Sequence, residues 1–253
     1  MKAILKYIIK NGVRDRLYLG LFLSLIIMIA ISIFLGSTML VEQQQTSSVF
    51  IAGGSRLTLA IGMILFVCLS VNRAFENKEV EFMLSKSISR QQFILAYFLG
   101  FCLSSMLIFI PLLLSIFIIT NADKIGLIMW SITLILEIFL IIIFALLVSL
   151  ILKNSFSAIM SCFAFYLISR LMGMFVMAID LPRDLSSANN HWLAMILKLF
   201  SVLFPRLDLF AQSSWLVYGN KDYSQLSIIF MQFLIYFSLL IFMAFHDFKK
   251  KQF

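Results

Sequence analysis

Apolar stretches long enough to cross a bilayer recur along this chain, and no other feature restricts its fold so strongly. A helix needs about 20 apolar residues to traverse a hydrocarbon core roughly 30 Å thick. Six segments meet that requirement: Leu17–Leu40, Phe50–Asn72, Arg90–Thr120, Leu127–Leu152, Ser155–Ala178 and Leu226–Phe245. In hydrocarbon the backbone N–H and C=O groups must be satisfied internally, so each stretch is expected to be a helix. Only 13% of the residues are charged and 62% are hydrophobic, whereas soluble domains carry about 25% charged residues. The expectation is an all-α membrane protein with a six-span domain over residues 17–248. The first apolar segment is too long for a signal-peptide core and reads as a retained span.

An even number of spans puts both termini on one side, and the basic residues say which. Lys2, Lys6, Lys10, Arg14 and Arg16 precede the first span; Arg73, Lys78, Lys86 and Arg90 lie between the second and third; Lys153 and Lys249–Lys251 follow later on the same side. These are 13 of the 20 Lys and Arg residues. By the positive-inside rule the termini and the 73–92 connection are cytoplasmic, in a multi-pass protein of the cell inner (plasma) membrane, and residues 179–225 are outside.

Residues 1–16 form a short amphipathic unit. Lys2, Lys6, Lys10 and Arg14 recur every four residues, with Ile4, Leu5, Ile8 and Ile9 on the opposite face. Such a helix lies in the membrane surface, its cations among anionic lipid head groups. The same residues also suit a simple positive-inside anchor.

The connection "RAFENKEVEFMLSKSISRQQ", Arg73–Gln92, is too charged for hydrocarbon and must lie in water. "SISRQQ" offers Ser89 as an N-cap with Gln92 at the third helical position, a capping box that restarts a helix at Arg90 after a break near Ser85. On one continuous helical wheel Phe75 and Phe82 share a ridge, while Val80, Met83 and Leu84 form another. Two apolar ridges suit an elbow gripped from two sides; the charge pattern alone favours a solvated run between spans.

Other features are less decisive. Pro111 removes a backbone donor inside the third span. "IAGGSR" opens the second span, with Gly53, Gly54 and Arg56 marking a non-ideal outer end or a re-entrant start. The outer connection 179–225 begins with the turn-rich "DLPRDLSSANN" and continues with "HWLAMILKLFSVLFP", an apolar run too short to cross. That run reads as an interfacial or re-entrant helix, with Trp192, Trp215 and Tyr218 at head-group level, or as a helix packed on the outer ends of the spans.

Two charges fall inside spans. Glu137 and Arg170 lie at estimated depths of roughly 15 and 12 Å from the outer surface, counting 1.5 Å per residue. An ion pair between their helices is the expected arrangement; one of them lining a substrate path is the alternative.

Catalytic chemistry has little support. His191 and His246 sit on opposite sides, and no zinc-protease, nucleophile-elbow or phosphate-loop motif occurs. Cys68, Cys102 and Cys162 all lie in apolar segments and are not spaced as a disulfide or metal framework. Nothing suggests a nucleic-acid partner. The expectation is a chain that is not itself an enzyme and binds no cofactor.

The segment "FENKEVEFMLSKSISRQQFILAYFLG", Phe75–Gly100, resembles the loop between the second and third spans in permease subunits of ATP-binding-cassette transporters of the type-2, or type V exporter, family. That loop reads as an acidic residue, then "LLS-P-SR", then an aliphatic helix start. The matching positions here are Glu79, Met83, Leu84, Ser85, Ile88, Ser89 and Arg90. Ile88 replaces the usual proline, and Lys78 stands where a glycine is common. The resemblance implies two permease subunits around a central path, as a homo- or heterodimer. It also implies a separate cytoplasmic ATPase dimer that binds ATP and Mg and docks on the elbow. The coupling residues would be Phe75, Glu76, Glu79, Phe82, Leu84, Ser89 and Arg90, and the substrate would move outward. An intramembrane enzyme, which needs a catalytic pair at one depth, and a secondary transporter, which needs repeats and polar midplane residues, are the alternatives without an ATPase partner.

Overall fold

The computed structural model describes residues 2–39, 43–85, 89–120, 122–152, 154–180, 195, 203–219 and 223–250. Its helices are α1 (Lys2–Arg14), α2 (Arg16–Ser37), α3 (Gln43–Glu76), α4 (Glu79–Leu84), α5 (Arg90–Ile119), α6 (Lys124–Ile151), α7 (Ser155–Asp180), α8 (Ser214–Tyr218) and α9 (Tyr223–Lys250), with a 3-10 turn at Leu207–Leu209. Among the described residues there is no strand. Six helices, α2, α3, α5, α6, α7 and α9, are long and apolar enough to cross a membrane. This is a multi-pass membrane protein.

Side chains placed beside the apolar runs start these helices. Asp15 caps α2 by accepting from the Leu17 N–H at 3.1 Å. Asp123 caps α6 by accepting from the Gly126 N–H at 2.7 Å. Asn154 accepts from the Phe156 N–H at 3.0 Å at the start of α7. Such caps occupy N–H groups that the first turn leaves without helical partners.

Burial sorts the spans. In α6, 72% of the most apolar window is buried, against 22% in α2 and in α9, so α6 is the centre of the bundle and α2 and α9 lie at its edge. Trp130, Leu134, Ile142, Ile143 and Ala145 of α6 are fully enclosed. Helix α2 packs along α3 through small residues: a methyl group at Gly36, Gly54 or Gly62 would collide with Ser47, Met28 or Leu21, respectively. Close backbone approach of this kind drives helix association where no water is expelled. Helix α1 lies against α5, where Gly100 leaves room for the buried Ile8.

One expectation is corrected here. "IAGGSR" is neither an outer end nor a re-entrant start, because α3 begins seven residues before Phe50, at Gln43, and runs unbroken to Glu76. Gly53 and Gly54 remain helical because every N–H in that environment needs its helical acceptor, which outweighs their low propensity. Pro111 lies inside α5 without ending it. The loop "DLPRDLSSANN", Trp192 and most of the run ending at Pro205 fall outside the described residues.

Candidate functional site

The elbow is built from a turn and a short helix. Helix α3 ends at Glu76; Asn77 and Lys78 turn the chain, with Lys78 at φ 56 in the left-handed region. Helix α4 follows, and Ser85 comes after its last residue. Ser89 then caps α5 as expected: its hydroxyl accepts from the Gln92 N–H at 3.2 Å, and Gln92 Oε1 accepts from the Ser89 N–H at 3.3 Å. The left-handed turn breaks the continuous wheel on which Phe75 and Phe82 shared a ridge. Phe75 packs against the core, whereas Phe82 is 64% exposed. Val80 is buried and Met83 packs on the core, so that apolar ridge faces the bundle.

Polar contacts tie the elbow to its neighbours. The Tyr7 hydroxyl of α1 donates to Glu79 at 3.0 Å. Arg73 Nη1 donates to Asp15, the cap of α2, at 2.7 Å. Arg90 Nη1 donates to the carbonyls of Phe248 and Lys249 at 3.0 and 2.9 Å, where α9 runs out of partners for its last carbonyls. Burial, with the Glu79 carboxylate beside it, pushes the Tyr7 phenol above its ordinary range. Between α1, α3 and α5 lies a cavity of about 100 Å³ bordered by Tyr7, Asp15, Arg73, Asn77 and Glu79. It has room for water but is well below the roughly 300 Å³ of a small-molecule pocket.

The seven proposed coupling residues therefore separate. Glu76 and Phe82 project from the surface. Phe75 belongs to the core, Glu79 holds α1, Ser89 caps α5 and Arg90 caps α9. Leu84 ends α4, but its side chain lies outside the description.

A second polar centre lies near the other end of the bundle. Arg56 and Glu137 each stand thirteen residues into their helices, α3 and α6, or roughly 20 Å from the helix start at 1.5 Å per residue. Arg56 Nε donates to Glu137 Oε1 at 3.0 Å, and Nη2 lies 2.7 Å from Oε2. The side chains are 2% and 0% exposed. Arg56 also donates to the carbonyls of Ala211 and Leu207 at 3.1 and 2.7 Å. The expected Glu137–Arg170 pair is thus replaced by Glu137–Arg56. Arg170 joins the cluster differently, donating to the Leu207 carbonyl at 2.9 Å. The pairing follows from α3 starting earlier than its apolar run, which moves Arg56 from the helix end to the depth of Glu137.

These contacts seat residues 207–216 among the helices. Leu207, Phe210, Ala211 and Leu216 are almost wholly buried. The Ala211 N–H donates to Thr133 Oγ1 at 3.1 Å, and the Asp123 N–H donates to the Leu216 carbonyl at 3.0 Å. Trp215 is buried while Tyr218 is exposed. The chemistry is neutralisation: the Glu137 carboxylate balances the Arg56 guanidinium, and the Leu207 and Ala211 carbonyls, the first of which also accepts from the Phe210 N–H, take further N–H donors from Arg56 and, at Leu207, from Arg170. Among the described residues, no three His, Cys, Asp or Glu side chains converge to hold a metal ion. No family model and no curated protein matches the chain.

Proposed function

We propose that this chain is the membrane-spanning permease subunit of an ATP-binding-cassette exporter of the type-2 (type V) family. ATP hydrolysed by a separate ATPase dimer, which also holds the Mg, drives it, and it works beside a second permease subunit. The observation that carries the reading is the elbow. The elbow presents Glu76, at the end of α3, and Phe82, on α4, outward while Tyr7–Glu79, Arg73–Asp15 and Arg90 fasten the same segment to α1, α2 and α9. A push on α4 would reach several spans at once, as a coupling element requires. An aromatic side chain flanked by charges is also a good anchor for a partner's pocket.

In this reading the elbow and both termini are cytoplasmic in the inner membrane. Helix α1 rests on the lipid surface, and residues 203–219 form a re-entrant element opening to the outside. The positive-inside distribution and the resemblance of the elbow support that orientation.

The test is co-purification of a tagged chain from its native membranes in mild detergent. The reading expects a nucleotide-hydrolysing subunit to elute with it, and Phe82→Ala to lose that subunit while membrane abundance stays unchanged. Full association and hydrolysis in both Phe82→Ala and Glu76→Ala would sink it.

A further inference from the structure

Between α2 and α3 an apolar groove of about 430 Å³ opens on the outside of the bundle, within the volume range of small-molecule sites. Leu17, Leu21, Ile61, Leu65 and Phe66 line it, and Arg16 is the one charged side chain among its lining residues. The polar groups in its wall are already occupied: Ser24 Oγ donates to the Leu21 carbonyl at 2.7 Å, and Thr58 Oγ1 to the Gly54 carbonyl at 2.8 Å. They offer an occupant no donor. At Gly20, also in the wall, an added Cβ would meet nothing within 4 Å, so the groove is open at that point.

Arg16 is exposed at the first residue of α2, and among the described residues no carboxylate pairs with it. The flanking surface of α2 is apolar, with Leu19, Leu23, Ile26 and Ile27 exposed along the span. The medium against such a surface is hydrocarbon, which enters a groove as an acyl chain. A cation at the mouth then selects the head group. We propose that this groove is a binding site for one anionic diacyl phospholipid, an acyl chain lying between α2 and α3 and the head-group phosphate paired with Arg16. The site uses no ATPase partner and goes beyond the transport reading.

The experiment is native mass spectrometry of the purified full chain in detergent, titrated with phosphatidylglycerol or phosphatidylcholine of identical chains. The expected result is one retained phosphatidylglycerol, held about fivefold more tightly than phosphatidylcholine, as a single cation at an anionic surface gives. Arg16→Gln should abolish the preference while still retaining lipid. Gly20→Leu, which fills open space without a clash, should reduce retention of both lipids. Glycerol phosphate, which has the charge but no chain, should not compete. Equal retention of the two lipids by the unaltered chain would overturn the proposal, as would unchanged preference in Arg16→Gln or unchanged retention in Gly20→Leu. So would conversion of a dimer to a monomer by Gly20→Leu, because a second copy would then cover the groove.

Discussion

Arg56 and Glu137, 81 residues apart in sequence, meet at 2.7 Å with both side chains withdrawn from the surface. Desolvating two charges is costly, so what matters is the loss on removing one of them. Arg56→Gln or Glu137→Gln alone should destabilise by about 3–5 kcal/mol, because each strands the opposite charge. The double variant should lose much less than the sum. Unfolding in mixed detergent micelles measures the cycle. A Glu137–Arg170 coupling as large as that of Glu137–Arg56 would contradict the geometry.

Lys78 carries a side chain in a backbone conformation that suits glycine, at φ 56. Lys78→Gly should therefore stabilise the chain by about 1 kcal/mol, and a β-branched Lys78→Val should destabilise it by at least as much. Thermal unfolding of the three chains in one detergent gives the order, and Lys78→Gly falling below the parent would refute it.

Phe75 and Phe82 stand seven residues apart but in different surroundings. Phe75→Ala should cost about 2–3 kcal/mol of stability, at or just below the range for a fully buried ring. Phe82→Ala should stay within about 0.5 kcal/mol, as exposed positions do. Equal losses at the two sites would mean that Phe82 packs inside the protein.

Tyr7 titrates above the ordinary tyrosine value of 10.0 because burial and then Glu79 oppose its ionisation. A group with a raised folded-state pKa contributes stability that is present below the unfolded value and lost as pH rises through the folded one. Docking of α1 should therefore be constant up to about pH 10 and weaken above it. Hydrogen exchange of the α1 amides, compared with Tyr7→Phe to remove the hydroxide-catalysed trend, reads this out. Identical profiles in the two chains would exclude the Tyr7–Glu79 contact as its source.

Cys68 of α3 and Cys162 of α7 hold their sulfurs 3.8 Å apart, both buried. A membrane-permeant azodicarboxamide oxidant, which takes up two electrons and two protons, should join them into a disulfide while Cys102 remains alkylatable after denaturation. Peptide mapping that finds Cys102 in the bridge would show that α3 and α7 are not packed as described.

Legibility followed the range of the interaction. The Ser89–Gln92 capping box is a local pattern and was readable with its correct boundaries. The spans were readable because hydrocarbon demands apolar length. The start of α3 was not: Gln43, Gln44 and Gln45 continue the helix beyond the apolar run, and a helix needs no apolar residues once it leaves lipid. That shift concealed Arg56 as the partner of Glu137 and left Arg170 as the only visible cation at a comparable depth. Glu79 and Arg90 have the charge of surface residues, and no local pattern announces that Tyr7 or the end of α9 takes them up.

The Arg56 cluster also imposes an order on biosynthesis. Arg56 leaves the ribosome 81 residues before Glu137 and 151 residues before the Leu207 carbonyl. At about 5–20 residues per second, the intervals are on the order of 10 s for each. Throughout that time the Arg56 guanidinium is without the carboxylate that balances it in the folded chain, a state that hydrocarbon opposes, so α3 is expected to insert poorly as a free-standing step. Arg56 is therefore expected to stay in an aqueous or protein-lined surrounding until α6 brings Glu137 to it. The cluster closes only when the chain preceding α9 folds back among the helices. A chain stalled before α6 would be expected to leave α3 accessible to an aqueous thiol reagent at an introduced cysteine beside Arg56.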